Sequence, residues 1–208
     1  MWFETELKPK ENTPTLQTDR LILRKFTMDD AKALLAVLSD REVNTFLPWF
    51  PLDTLEQAEN WIQSHYLDHY GDPWGYQYAI CLKEDNIPIG YIGLSPEESL
   101  DFGYGLRRDC WGRGYASEAS AALLCRLREA GFPYVTATHD RNNPASGGVM
   151  RKLGMTYRYS YHEQWQPKDI PVVFRLYQLD FRQPPCPTFG LYREKYLSFV
   201  EELGREGR

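Results

Sequence analysis

Arg107-Arg108-Asp109-Cys110-Trp111-Gly112-Arg113-Gly114-Tyr115-Ala116-Ser117-Glu118-Ala119 joins a glycine-punctuated turn directly to an apolar helical pattern. Gly112 and Gly114 tolerate left-handed backbone angles and leave their N–H groups uncovered. The helix that follows adds the positive end of its dipole, so the stretch predicts an anion cradle. Three arginines, at 107, 108 and 113, add charge. The bland alternative is an ordinary strand-to-helix loop whose glycines merely make the turn. The P-loop and dinucleotide fingerprints both fail, because no Gly-Lys-Ser/Thr follows and no third glycine stands at the dinucleotide spacing. What remains is a pyrophosphate site of another kind.

Working outward, three further stretches accompany the turn. Upstream, Thr18-Asp19-Arg20-Leu21-Ile22-Leu23-Arg24 has the alternation of a half-buried strand, and Asp101-Phe102-Gly103-Tyr104-Gly105-Leu106 reads as a strand weakened by two glycines. Such glycines point to a bulge or a ligand close to the backbone, or else to relief of crowding around Tyr104. Downstream, Asn143-Pro144-Ala145-Ser146 leads into Val149-Met150-Arg151-Lys152-Leu153-Gly154-Met155. Asn143 and Ser146 suit a helix N-cap, and Gly154 a left-handed C-cap.

These four motifs, in this order from about residue 16 to 180, resemble the GNAT N-acetyltransferase superfamily, in the branch that includes the enzymes acetylating ribosomal-protein N-termini. The resemblance implies an α+β fold with a central mixed, mostly antiparallel sheet flanked by helices, and acetyl-CoA as co-substrate. It places the pyrophosphate on the backbone of Gly112, Arg113, Gly114, Tyr115, Ala116 and Ser117, with Arg108 and Arg113 in support. It gives the pantetheine arm the exposed backbone from Tyr104 to Leu106 and the amide of Asn143. It lets the Ser146 hydroxyl protonate the departing thiolate, and makes Asp101 the candidate general base. Trp111 stands where other members often carry Gln or Arg.

Size and charge agree. A chain of 208 residues can bury one sizeable core, and a net charge of -5 leaves no electrostatic footprint for nucleic acid while tolerating a cationic amine. Cys81, Cys110, Cys125 and Cys186 show no paired spacing, no signal region opens the chain and no apolar run reaches membrane-spanning length. A reduced, cytoplasmic protein without membrane or nucleic-acid partners is expected, as a monomer or homodimer.

The remaining pattern organises the chain into a polar arm over residues 1–15, a domain over 16–182, and a proline-rich joint with a C-terminal amphipathic helix over 183–208. Ala31, Leu34, Leu35 and Leu38 recur at helical spacing after Asp29-Asp30, and Leu55 to Tyr70 reads as a second helix. Tyr76 to Leu82 and Ile87 to Leu94 read as a hairpin. Helices are expected over Ala116 to Ala130 and Pro144 to Leu153, and strands over Tyr134 to Thr138, Tyr157 to Trp165 and Val172 to Leu179. Leu191, Tyr192, Tyr196, Phe199, Val200 and Leu203 predict the terminal helix, docked within the chain in preference to a second subunit. Between the first two helices, Phe46-Leu47-Pro48-Trp49-Phe50-Pro51 forms an aromatic loop, and Trp49 and Phe50 are candidate walls of a substrate pocket or simple core packing.

Several chemical alternatives stay open at this level. Glu97, Glu98 or a water compete with Asp101 as base, and Tyr157 or Tyr159 with Ser146 as acid. Glu118 is expected to brace its helix. His65 and His69 lie four apart, yet no cluster completes a coordination set, so no metal is expected. Cys110 with His139-Asp140 would need a proximity that sequence cannot show. Gly147 and Gly148 either admit the ligand or loosen the helix start. The function expected is N-acetyl transfer from acetyl-CoA to a primary amine, a protein N-terminus or a small molecule. The alternative is a non-catalytic acyl-CoA-binding regulatory module.

Overall fold

Period-two alternation in the first half of the chain produces an antiparallel sheet in strict hairpin order. The computed structural model describes residues 12–72, 75–95 and 97–204, so most of the polar arm lies outside the described residues. The strands β1 (Leu16–Gln17), β2 (Leu21–Arg24), β3 (Gln77–Leu82), β4 (Pro88–Leu94) and β5 (Phe102–Leu106) lie side by side in that order, every pair antiparallel. On β3, Tyr78 and Ile80 enter one apolar cluster while Ala79 and Cys81 enter another, as alternating side chains must. The second cluster is closed by α1 (Ala31–Leu38) and α2 (Leu55–His65), which contribute Leu34, Val37, Ala58 and Ile62.

The first cluster is closed by α3 (Tyr115–Glu129), whose Ala119, Leu123 and Leu127 face the sheet, and by Met150 of α4 (Pro144–Lys152). Beyond α3 a second sheet begins, with β6 (Tyr134–Asp140), β7 (Thr156–Trp165), β8 (Ile170–Asp180) and β9 (Ser198–Phe199) in the order β6-β8-β7-β9. The mixed, mostly antiparallel sheet is in two halves. They meet at one parallel bridge, Asp101 to Thr136, supported by Thr136 N–H donating to Leu100 O at 3.1 Å. Past that bridge β5 and β6 part, and their facing backbone groups have no strand partner across the gap.

The end of the chain departs from the amphipathic helix expected over 191–203. Only α5 (Leu191–Lys195) is helical, and residues 198–199 then add an edge strand to β7. The apolar residues are used, but by a different geometry. Tyr192 and Tyr196 stack on Tyr161 at 4.8 and 5.4 Å, and the Arg175 guanidinium holds Glu201 at 2.5 Å. Tyr192 stacks from within α5 and Tyr196 from just past its end, after which the chain extends and pairs with β7. The segment docks on its own chain, as expected.

Candidate active site

A cavity of about 1050 Å³ occupies the gap between the two halves. One end is the turn ahead of α3. Gly112 and Gly114 sit at φ +71° and +82°, the left-handed region that the sequence anticipates at these glycines. Gly114 is the N-cap and offers no side chain to α3, so the N–H groups of Tyr115, Ala116 and Ser117 face the cavity with no cap on them. This arrangement fits an anionic diphosphate, because uncapped donors and the helix dipole point at the same place. Trp111 Nε1–H donates to Leu106 O at 2.9 Å, pinning the turn to the end of β5. The turn is also braced from outside. Glu118 accepts from the Thr18 hydroxyl at 2.5 Å, from Arg20 N–H at 2.9 Å and from Arg20 Nε at 2.7 Å, and Arg20 Nη1 donates to Arg113 O at 3.0 Å. Burial alone would push the Glu118 carboxyl up, but these donors hold it below its ordinary range. Bracing is the role expected for Glu118.

The arginines do not behave as expected. Arg108 is bound to Asp40 at 3.2 Å and Glu42 at 2.9 Å, so its charge is neutralised away from the turn. Arg107 closes locally on Asp109 at 2.6 Å, and the side chain of Arg113 is exposed. An anion placed at this turn would thus meet chiefly backbone donors.

At the middle of the cavity, α4 begins beside β5. Asn143 Oδ1 caps α4 by accepting from Ser146 N–H at 3.3 Å, while Asn143 and Ser146 both line the cavity. The Tyr104 hydroxyl lies 3.0 Å from both the carbonyl oxygen and Oγ of Ser146. Burial pushes the Tyr104 phenol up to about 12, so it stays protonated at neutral pH. The tyrosines expected as alternative acids are elsewhere. Tyr159 donates to Phe189 O at 2.9 Å, and Tyr157 is engaged by Ser160 and by Glu201 N–H at 2.9 Å each. Gly147 is explained by a neighbour rather than by a ligand, because a Cβ there would come within 2.6 Å of His139 Nε2. Gly148 meets nothing closer than 3.9 Å.

Asp101 stands at the bridge itself. Its carboxylate accepts from Thr138 Oγ1 at 3.1 Å and Thr136 Oγ1 at 3.4 Å, and desolvation still raises it to about 6. A carboxyl poised there is a base matched to neutral pH. Alternation along β5 sends Phe102, Tyr104 and Leu106 toward the α3 side, so Gly103 and Gly105 share the α1/α2 face. Gly105 is required by Tyr91, whose ring a Cβ would meet at 2.5 Å, whereas Gly103 opens on empty space. The crowding relieved is around Tyr91, not Tyr104.

On that face the aromatic loop closes the cavity. Trp49 lines it and packs against Trp61 at 5.0 Å, but Phe50 is 60% exposed and does not reach it. Proline on each side of the Trp49-Phe50 neighbourhood fixes a loop in which consecutive side chains diverge. Sequence reading misses Trp61, His65, Tyr91 and Trp165, all of which line the cavity. Their one legible signal is the pair Trp61 and His65, one helical turn apart and stacked at 3.8 Å. His69 instead pairs with Asp72 at 2.7 Å, and among the described residues no group of His, Cys, Asp or Glu could hold a metal. Cys110 is buried with its thiol 3.7 Å from the Asp109 carboxylate, and His139 Nδ1 lies 2.8 Å from Asp140 O, so no Cys-His contact forms.

A family model for the acetyltransferase (GNAT) domain matches residues 20–156, which include every motif of the turn, the split strands and α4. The chain belongs to the GNAT acetyltransferase family. It is an N-acetyltransferase, and it is 30% identical over 146 residues to the uncharacterized N-acetyltransferase YoaA of Bacillus subtilis, covering 68% of this chain and 82% of that protein. A GNAT-family acetyltransferase structure from Bacillus anthracis superposes with TM-score 0.70 at 23% identity, covering 81% of this chain and 99% of that one. The ribosomal alpha-N-protein acetyltransferase RimL, solved in complex with coenzyme A, superposes with TM-score 0.68 at 20% identity, covering 80% and 98%. Among the described residues of the GNAT chain no helix is long and apolar enough to cross a membrane.

Proposed function

We propose that this GNAT enzyme transfers acetyl from acetyl-CoA directly to a primary amine, borne by a protein N-terminus or by a small molecule. One observation carries the reading: a carboxyl poised near pH 6 and a hydroxyl pair line the same cavity whose far end is an uncapped helix N-terminus. Bound acetyl-CoA supplies the thioester, and the chain's own groups do the rest. The N–H groups from Gly112 to Ser117 take the diphosphate, and Asn143 with the free edge of β5 from Tyr104 to Leu106 orients the pantetheine arm. Asp101 accepts a proton from the amine, directly or through one water, leaving a neutral nitrogen to attack. As the C–N bond forms and the C–S bond breaks, the nitrogen gives up its second proton and the Ser146–Tyr104 hydroxyl pair passes one on to the departing sulfur, so the pair ends as it began and Asp101 returns the first proton to solvent. The CoA of the RimL complex and the name of YoaA support the same reading.

Calorimetry with acetyl-CoA and a thiol-release assay over a panel of amines test it. Binding followed by amine-dependent release of free CoA thiol is expected. Binding with no release from any amine would reduce the chain to an acyl-CoA-binding module.

A further inference from the structure

The C-terminal segment and the candidate base share one face of the second sheet. Across β6, β8 and β7, Thr138 stands opposite Leu176 and Leu176 opposite Tyr159, while Asp140, Phe174 and Tyr161 form the next row on the same face. Over the β6 edge of this face runs the stretch that ends at Asp101. The Tyr134 hydroxyl donates to Glu98 O at 3.1 Å, the Thr136 hydroxyl to Ser99 O at 2.7 Å, and the Thr138 hydroxyl to the Asp101 carboxylate at 3.1 Å. Over the β8 and β7 rows lies the terminal segment. Tyr192 is stacked on Tyr161 at 4.8 Å with ring planes 24° apart, and Tyr161 lies 5.5 Å from Phe174, which lines the cavity together with Asp101. The two coverings are therefore neighbours on one face.

The charge of Asp101 is felt across that boundary. Burial first, and the Asp101 carboxylate second, push up the phenols of both Tyr161 and Tyr192, so each keeps its proton at neutral pH. Among the other charged groups at this corner, Glu97 bears on Asp101 and Tyr192, Glu163 of β7 on both tyrosines, and Lys195 of α5 on Glu97 and Glu163. Desolvation is the largest influence on the Asp101 carboxyl, outweighing its threonine donors. Such desolvation needs a cover on the sides away from the cavity, and the stacked tyrosines are that cover on the side of the terminal segment.

We propose that the C-terminal segment is a working part of the active site, in which Tyr192, stacked on Tyr161, walls Asp101 off from water. Neither tyrosine acts on a reacting atom; both work through Asp101, as positioning residues. The segment lies outside residues 20–156, the part matched by the GNAT family model. The proposal rests on the reading of Asp101 as the base.

The test follows the Asp101 carboxyl by NMR in the full chain labelled with carbon-13 at aspartate carboxyls, with Asp101→Asn identifying the resonance. In Tyr192→Ala its midpoint is expected to fall from about 6 by about one unit or more, because water readmitted to the carboxylate favours the charged form. The low-pH limb of kcat/KM is expected to move down with it, with acetyl-CoA affinity within about twofold of wild type. Tyr192→Phe keeps the ring and is expected to restore the wild-type midpoint. A second measurement leaves the ring in place, so it stands even where Tyr192→Ala fails to fold. In a chain labelled at tyrosine Cζ, the Tyr192 resonance, assigned with Tyr192→Phe, is expected to titrate with Asp101 and to stop doing so in Asp101→Asn. An unmoved Asp101 midpoint in a folded Tyr192→Ala protein overturns the proposal, and so does a Tyr192 resonance indifferent to Asp101. If kcat/KM shows no limb that follows Asp101, the reading of Asp101 as the base fails by itself, and the two titrations still decide whether the wall is there.

Discussion

Asp101 carries the sharpest expectation, because its environment sets both its pKa and its reach. Raised to about 6 by desolvation, it works as a base only once ionised, so kcat/KM should rise with pH through about 6. Asp101→Asn is expected to remove that limb from the pH profile and lower the plateau by about 10²-fold or more. Stability gives an independent check of sign. A carboxyl whose folded pKa lies above its unfolded 3.8 favours the folded state at low pH and loses that contribution as pH rises through about 6. Relative to Asp101→Asn, the wild type should therefore lose melting temperature between about pH 4 and 6. The hydroxyl pair acts on the leaving sulfur, so Ser146→Ala and Tyr104→Phe should each lower kcat by about 10–10²-fold with acetyl-CoA affinity retained. Wild-type rates in both would leave the 3.0 Å contact a purely structural one. At Gly114 the objection to a side chain is conformational. A Cβ would meet only Arg20 Nη2 at 3.4 Å, but φ +82° excludes a β-branched residue. Gly114→Val is expected to abolish CoA binding in calorimetry, and unchanged affinity in a folded protein would take the turn out of the site.

Elements show what was legible and why. The turn, the hairpin and α4 were readable because local signals decide them: left-handed glycines at 112, 114 and 154, and the Asn143 cap. Arg108 was not legible because its pairing is settled by partners distant in sequence, and Phe50 because the proline-bounded loop turns it outward. Arg108 meets acids 66 and 68 positions earlier, at Glu42 and Asp40. The aromatic wall of the cavity escaped for the same reason, since Tyr91 matters through its register opposite Gly105. The terminal segment was misread because six apolar residues at near-helical spacing also fit a short helix followed by a strand. Bracing of α3 is the element-scale prediction. Glu118→Ala removes three hydrogen bonds that fix the β1–β2 turn to the helix start, and should cost about 1–3 kcal/mol of stability. Because Arg20 also holds Arg113 O, CoA affinity should fall with it. Urea unfolding and calorimetry on the one variant read both, and full affinity in a destabilised protein would show the brace to be indifferent to the turn.

For the whole molecule, three apolar clusters divide the labour, with the third on the face of β7 and β8 that carries Tyr159, Tyr161 and Phe174. That face is covered by the terminal segment. Truncation after Gln183 would uncover Tyr159, Tyr161 and Phe174 and leave Arg175 without Glu201. It should lower the melting temperature by roughly 5–10 °C, a loss of a few kcal/mol for a chain of this length. An unchanged melting temperature would make the tail dispensable. The Arg175 guanidinium, outweighing burial, also holds the Glu201 carboxyl below its ordinary range, so this contribution is present above the unfolded pKa and lost as pH falls.

The single bridge between Asp101 and Thr136 has a mechanical consequence. Past that bridge the two leaves are held by the first cluster, which both share, and by side-chain ties such as Tyr104 to Ser146 and Lys168 to Asn44, so the wedge between them is propped open rather than hinged. A molecule lying in the opening meets backbone groups of both leaves that no ladder rung occupies, in a space already formed before it arrives.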